Sequence, residues 1–212
     1  RYEAEGADEL VLLDITATNE NRKTVIELVE KVSKEISIPF TVGGGIHSVE
    51  EAKAVINAGA DRVSIGSAAL KNPELITQLS KELGKEKVVL AIDTKFDNNE
   101  WLVYTNGGQK ATEWKALEWA LKGEELGAGS ILLTSMNNDG AKNGFAIDIT
   151  KAIDDAVNIP VTASGGAGKK EDFLDLFKQS NVEGGLAASV FHYKEINIGE
   201  LKTYLREQNI DI

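Results

Sequence analysis

Cysteine is absent from the 212 residues, so disulfides, thiolate metal sites and cysteine nucleophiles are excluded. Histidine occurs only at His47 and His192, too few for a histidine-rich metal site. Basic side chains are in deficit, 23 against 34 acidic, which gives a formal charge of −11. With a pI of about 4.8 the chain lacks the basic face that a phosphate backbone requires, and nucleic acid is not an expected partner. No apolar run approaches the ~20 residues that span a bilayer, so no membrane partner is expected. A signal peptide is not evident either, and a cytoplasmic location follows as an expectation. The chain opens on Arg1 in what reads as the tail of a helix, and a first strand is expected to be missing ahead of it. What is present, 42% hydrophobic and 27% charged residues, suits an ordinary globular domain.

Apolar runs rich in Val, Ile and Leu recur at Leu10–Ile15, Phe40–Val42, Arg62–Ile65, Val88–Ile92, Ser130–Thr134, Val161–Ala163 and Gly185–Ala188. Continuous runs, as opposed to alternating ones, suit strands buried on both faces of a parallel sheet. Helices between them are signposted. Ser48-Val49-Glu50-Glu51 reads as a capping box, with Gly59 as a left-handed C-terminal cap. Asn72-Pro73 starts a helix that Gly84 closes. Val25, Leu28, Val29, Val32 and Ile36 keep helical spacing through Asn21–Ser37. Thr112–Gly127 is expected to form another helix, with Leu117, Ala120 and Leu121 on one face. Trp101-Leu102-Val103-Tyr104-Thr105 reads as part of a hairpin inserted before it, and the three tryptophans as packing residues, not ligand platforms.

Such alternation fits either an open doubly wound sheet or a closed eight-unit barrel. Internal repetition decides between them. Ile38-Pro39-Phe40-Thr41-Val42-Gly43-Gly44-Gly45 matches Ile159-Pro160-Val161-Thr162-Ala163-Ser164-Gly165-Gly166 at an offset of 121 residues. Gly6-Ala7 matches Gly127-Ala128 at the same offset, and Ile65-Gly66-Ser67-Ala68 matches Ala187-Ala188-Ser189-Val190 one residue further on. The expected fold is a TIM (β/α)8 barrel built from two duplicated half-barrels, a single domain over residues 1–212 with its first strand and most of its first helix absent.

Barrel active sites lie at the C-terminal ends of the strands, so polar residues and glycines there are the candidates. Gly44 and Gly45 follow one strand, Gly165 and Gly166 its repeat, and glycine lets backbone amides cradle a phosphate. Gly66-Ser67 and Ala188-Ser189 end the next strand in each half and complete two repeat-related cradles. Asp93 ends Val88-Val89-Leu90-Ala91-Ile92, where a carboxylate faces the barrel mouth and can shuttle protons, or else serves as a cap or ion pair. Asp14 and Asp139 are weaker candidates, the latter in an Asp-Gly turn, and Thr105 and Thr134 can donate to substrate hydroxyls. His47 reads as a solvated helix-start residue, and His192 lies near the second cradle or packs.

Five segments now form a pattern: Thr41-Val42-Gly43-Gly44-Gly45-Ile46, Leu90-Ala91-Ile92-Asp93, Ile131-Leu132-Leu133-Thr134-Ser135-Met136, Ala163-Ser164-Gly165-Gly166-Ala167-Gly168 and Leu186-Ala187-Ala188-Ser189-Val190-Phe191-His192. Together they resemble the cyclase subunits of imidazole glycerol phosphate synthase, of histidine biosynthesis, over the whole chain. A sister family, the phosphoribosyl isomerases of the preceding step, shares the duplicated barrel, but the Leu-Leu-Thr-Ser-Met and Ala-Ala-Ser-Val-Phe-His runs favour the cyclase.

The resemblance implies a ribonucleotide substrate with a phosphate at each end, attacked by ammonia at its ribulosyl carbonyl and cleaved as it cyclises. No cofactor or metal is called for. It makes Asp93 one of two acid–base aspartates; the other, on the family's first strand, has no counterpart here, and neither has the lysine-bearing loop that follows it. Gly66, more like the sister isomerase, stands where the cyclase commonly has asparagine, and Asn137 stands where aspartate is usual. The family receives ammonia through the barrel from a glutaminase subunit docked on the N-terminal face of the strands. Glu9 and Arg62 match two positions of the charged gate there, Ser130 replaces a usual glutamate and the first-strand gate arginine is missing, which implies a weaker gate. The remaining alternatives are the isomerase and a catalytically dead phosphate-binding or partner-binding fragment.

Overall fold

The computed structural model describes residues 1–13 and 22–212, in two compact units. One comprises Arg1–Ala91 with Glu125–Ser130, the other Ile92–Glu124 with Ile131–Ile212.

The first unit begins with β1 (Leu10–Leu13), α1 (Arg22–Glu35), β2 (Phe40–Gly43), α2 (Val49–Asn57) and β3 (Arg62–Ile65). Then come α3 (Ser67–Lys71), α4 (Glu74–Leu83), a 3-10 turn (Lys85–Lys87) and the first half of β4 (Val88–Asp97). The strands pair in parallel in the order β1-β2-β3-β4. All four residues of β2 are buried, as expected of a strand covered on both faces. Ahead of β1, Glu5 N–H donates to the Arg1 carbonyl at 3.0 Å, a single helical turn that ends at Gly6 with φ 101°.

Local capping follows the sequence signals with one shift. Ser48 Oγ accepts from Glu51 N–H at 3.2 Å, but the Glu51 carboxylate takes the amide of His47, at 2.6 Å, one residue before the position a reciprocal box uses. Gly59 sits at φ 115°, and a Cβ there would run into the Ser33 side chain. Pro73 adopts helical dihedrals, φ −58° and ψ −30°, at the head of α4.

In the second unit β4 continues into an antiparallel hairpin with β5 (Glu100–Thr105), which in turn pairs with β6 (Lys110–Lys115). Asn98 and Asn99 turn the chain with φ of 49° and 64°, the left-handed pair that suits a two-residue hairpin loop. The helix expected over Thr112–Gly127 is shorter: α5 spans Ala116–Leu126. Thr112–Lys115 belong to β6, where β-branched Thr112 and aromatic Trp114 favour strand and Thr112 Oγ1 donates to the Val103 carbonyl at 2.9 Å. The buried stripe of α5 is Ala116, Trp119, Ala120 and Gly123; Leu121, expected inside, is 42% exposed. The helix is rotated to bury the indole of Trp119, the largest apolar surface available. Trp114 packs on Trp119 at 5.0 Å between ring centroids, and Trp101 on Phe96 at 5.3 Å.

After β7 (Ser130–Ser135) come α6 (Ile147–Ala156), β8 (Val161–Ser164), α7 (Lys170–Gln179), β9 (Gly184–Leu186), α8 (Ser189–His192) and α9 (Ile198–Glu207). β8 pairs in parallel with β7 and with β9. β9 stops short of the expected Ala188, because that carbonyl accepts from Phe191 and His192 N–H, at 3.2 and 2.8 Å, and so opens α8.

The sequence repeat is repeated in geometry. Leu10 aligns with Phe40 and Ile131 with Val161, the same register in β1·β2 as in β7·β8. Leu10 N–H donates to Pro39 and Ile131 N–H to Pro160, both at 2.9 Å. Asp61 N–H to Phe40 at 2.8 Å is repeated by Glu183 N–H to Val161 at 2.9 Å. Gly6 and Gly127 match at φ 101° and 106°. Parallel strands alternating with helices in this duplicated pattern are those of a (β/α)8 barrel. Among the described residues no helix is long and apolar enough to cross a membrane.

Candidate active site

In the first unit, Gly44 and Gly45 turn out of β2 with φ of 91° and 65°, conformations open to glycine at little cost. The pairing of Gly43 with Ser64 sets this turn beside Ile65-Gly66-Ser67, where β3 passes into α3. Gly66 has φ −132°, which needs no glycine, and a Cβ there would meet Ala91 at 3.4 Å or more, an ordinary contact. The asparagine usual in the cyclase would therefore fit.

The second unit builds the same arrangement. Gly165 and Gly166 leave β8 with φ of 89° and 110°, and pairing of Ser164 with Leu186 brings them beside Ala187-Ala188-Ser189. Ala188 repeats the backbone of Gly66, φ −115° and ψ −72° against −132° and −91°. α2 and α7 start at repeat-related positions, and Asp172, buried, takes the amides of Gly168 and Lys169 at 2.8 and 2.9 Å as Glu51 takes that of His47. Because α3 and α8 are single turns, the turn amides rather than a long helix dipole would have to hold an anion.

Asp93 lies on β4, whose half-exposed face is formed by Ala91, Asp93 and Lys95 while Leu90, Ile92 and Thr94 are buried on the other. Met136 N–H donates to the Thr94 carbonyl at 2.9 Å and ties the loop after β7 to this strand. That loop carries Asp139, whose N–H donates to the Ser135 carbonyl at 2.9 Å and which lies against Gly165. Burial pushes the Asp93 carboxyl above the usual carboxylate range, and the negative charge of Asp139 pushes it further. Thr134 pairs with Ser164 at the end of β7, and Thr105 follows Tyr104, the register partner of Asp93. Asp93, Asp139, Thr134, Thr105 and the Gly165-Gly166 turn are thus gathered in one unit. Asp14 lies outside the described residues.

Sequence reasoning missed the framework of the loop after β7. Ser135 Oγ donates to Asn138 Oδ1 at 2.7 Å, and Asn138 Nδ2 donates to Asn143 Oδ1 and the Gly144 carbonyl at 3.1 and 2.9 Å. Asn137 Oδ1 accepts from Phe96 N–H at 2.8 Å, a bond the family's aspartate would make equally well. Only Asp172 was within reach of sequence, as the repeat partner of Glu51. His47 and His192 are both exposed. At the opposite ends of the first unit's strands, one Arg62 guanidinium nitrogen donates to both Glu9 carboxylate oxygens, at 3.1 and 3.0 Å.

The sequence profile of the histidine biosynthesis protein family matches residues 1–197. The imidazole glycerol phosphate synthase subunit HisF of Pyrococcus furiosus is 54% identical over 212 residues, covering 100% of this chain and 84% of that protein. Its counterparts from Geobacillus thermodenitrificans and Parabacteroides distasonis are 51% and 52% identical, with the same coverage. The chain belongs to the histidine biosynthesis protein family, within its imidazole glycerol phosphate synthase HisF branch.

Proposed function

We propose that this chain is the cyclase subunit of an imidazole glycerol phosphate synthase, a lyase of L-histidine biosynthesis. Its substrate is the phosphoribulosyl-formimino aminoimidazole carboxamide ribotide, and its products are imidazole glycerol phosphate and aminoimidazole carboxamide ribotide. The observation that supports this best is the duplicated pair of glycine turns, alike in φ and in strand register, which suits a substrate with a phosphate at each end. Gly44, Gly45, Gly66 and Ser67 would hold one phosphate, and Gly165, Gly166, Ala188 and Ser189 the other.

In this reading the nitrogen of ammonia adds to the ribulosyl carbonyl, water leaves, and the ring closes as the carbon–nitrogen bond to the ribotide breaks. Each stage moves a proton. Asp93, raised in pKa by burial and by Asp139, is suited to accept one at one stage and return it at the next. Asp139, Thr134 and Thr105 orient the substrate hydroxyls around it. Ammonia would arrive from a glutaminase subunit on the N-terminal face of the strands, where the Glu9–Arg62 ion pair forms part of a gate. A cytoplasmic location goes with this reading.

The test is to offer the protein the cyclase and the isomerase substrates separately, with and without ammonia. Ammonia-dependent formation of imidazole glycerol phosphate is expected. Isomerisation of the earlier substrate, independent of ammonia, would overturn the proposal.

A further inference from the structure

Among the described residues Lys95 has no carboxylate partner. It is half-buried, and it lies two residues beyond Asp93 on the same half-exposed face of β4. Its Nζ sits 4.8 Å from the ring centroid of Tyr104, and Tyr104 is the register partner of Asp93. Tyr104 is itself fixed, its hydroxyl donating to Asp97 Oδ2 at 3.2 Å. On its other side the stem of Lys95 meets the loop between β5 and β6: a Cβ at Gly108 would lie 3.5 Å from Lys95 Cε. Among the described residues Lys95 makes no ion pair and donates no hydrogen bond. A ring face steadies an ammonium but accepts none of its three N–H donors in a directed bond. In a chain of net charge −11, an ammonium that forms no ion pair among the described residues is set aside for some other anion.

We propose that Lys95 holds an oxyanion of the substrate on the face of β4 that carries Asp93, with Tyr104 as the positioning residue whose ring steadies the ammonium there. This rests on the cyclase reading and adds a residue to it. Two oxygens of the substrate have the required chemistry. One belongs to a phosphate ester. The other is the carbonyl oxygen, which gains the π electron pair as ammonia's nitrogen bonds to carbon, until a proton passes from that nitrogen to it.

The experiment compares the wild type with Lys95→Met, which keeps the stem and removes the charge, with Lys95→Arg, and with Lys178→Met as a charge control at the exposed end of α7. Steady-state kinetics is combined with calorimetric titration of imidazole glycerol phosphate, a phosphate ester without the carbonyl. If the oxygen is a phosphate's, Lys95→Met raises KM and weakens the titrated affinity by about tenfold or more, with kcat little changed. If it is the carbonyl's, kcat falls by about tenfold or more while the titrated affinity stays. In either case Lys95→Arg recovers part of the loss and Lys178→Met matches the wild type. Kinetics and affinity within twofold of wild type in Lys95→Met, or equal losses in Lys178→Met, would overturn the proposal. Should Lys95→Met not fold, Lys95→Gln is read by the same criteria. A wild type that binds the ester but shows no ammonia-dependent turnover would remove the cyclase reading and the carbonyl arm with it; a weakened titrated affinity in Lys95→Met would then support the proposal and an unchanged one would overturn it.

Discussion

Burial of Asp93 has two opposed consequences. Its carboxyl is held above the ordinary range, so the folded state binds that proton more tightly than the unfolded chain does. The stability this gives is fully present below the unfolded pKa of about 3.9 and is lost as pH rises through the folded pKa. Asp93→Asn should therefore raise Tm at pH 7, with the gain shrinking in melts taken near pH 4, while kcat falls by about 10² to 10⁴. A lowered Tm at pH 7 would contradict the electrostatic account, and an unchanged kcat the catalytic one. Because Asp139 is the second cause of the shift, Asp139→Asn should move the limb of the pH–rate profile that reports Asp93 to lower pH. The position of Asp93 could be read from sequence, since an apolar strand ended on it. Its coupling to Asp139 could not, because that depends on a loop folded by Ser135 and Asn138, whose residues carry no motif. Gly66→Asn is expected to leave stability within about 0.5 kcal/mol of wild type and to lower KM, since its φ and surroundings admit the side chain and an amide donor is added. A raised KM would remove Gly66 from the cradle.

Elements were legible in proportion to how local their causes are. Ser48, Gly59 and Pro73 act within one helical turn, and each does what its residue type implies. The start of α5 went wrong because Thr112 and Trp114 answer across a tight turn to β5, the strand just before them, and not to the helix they seemed to open. In the glycine turns the decisive quantity is space. A Cβ at Gly166 would overlap the Gly144 carbonyl, whereas at Gly107, also left-handed with φ 64°, nothing lies within 4 Å. Gly107→Ala should cost about 1 kcal/mol in chemical denaturation, the left-handed penalty alone. Gly166→Ala should cost about 3 kcal/mol or more, because the backbone of the loop after β7 must move. Equal costs would mean that the turn is not packed as described.

For the whole molecule, duplication was the most readable feature, and register and φ carry it into the fold. The halves are nevertheless not interchangeable. Gly43 corresponds to Ser164, yet a Cβ at Gly43 would fall 2.8 Å from Ser64 Cβ and 3.0 Å from Leu13. Gly43→Ser should therefore destabilise by about 1–3 kcal/mol although the repeat already contains that serine. What the halves do share is the pair of glycine turns, and a two-ended substrate held by them is the central claim. It is tested most directly by following imidazole glycerol phosphate and aminoimidazole carboxamide ribotide as the protein is given the ribulosyl substrate and ammonia. The account predicts both products in equal amounts, at a rate that depends on ammonia and is lost in Asp93→Asn. Turnover of the isomerase substrate in their place, or product formation indifferent to Asp93, would contradict it.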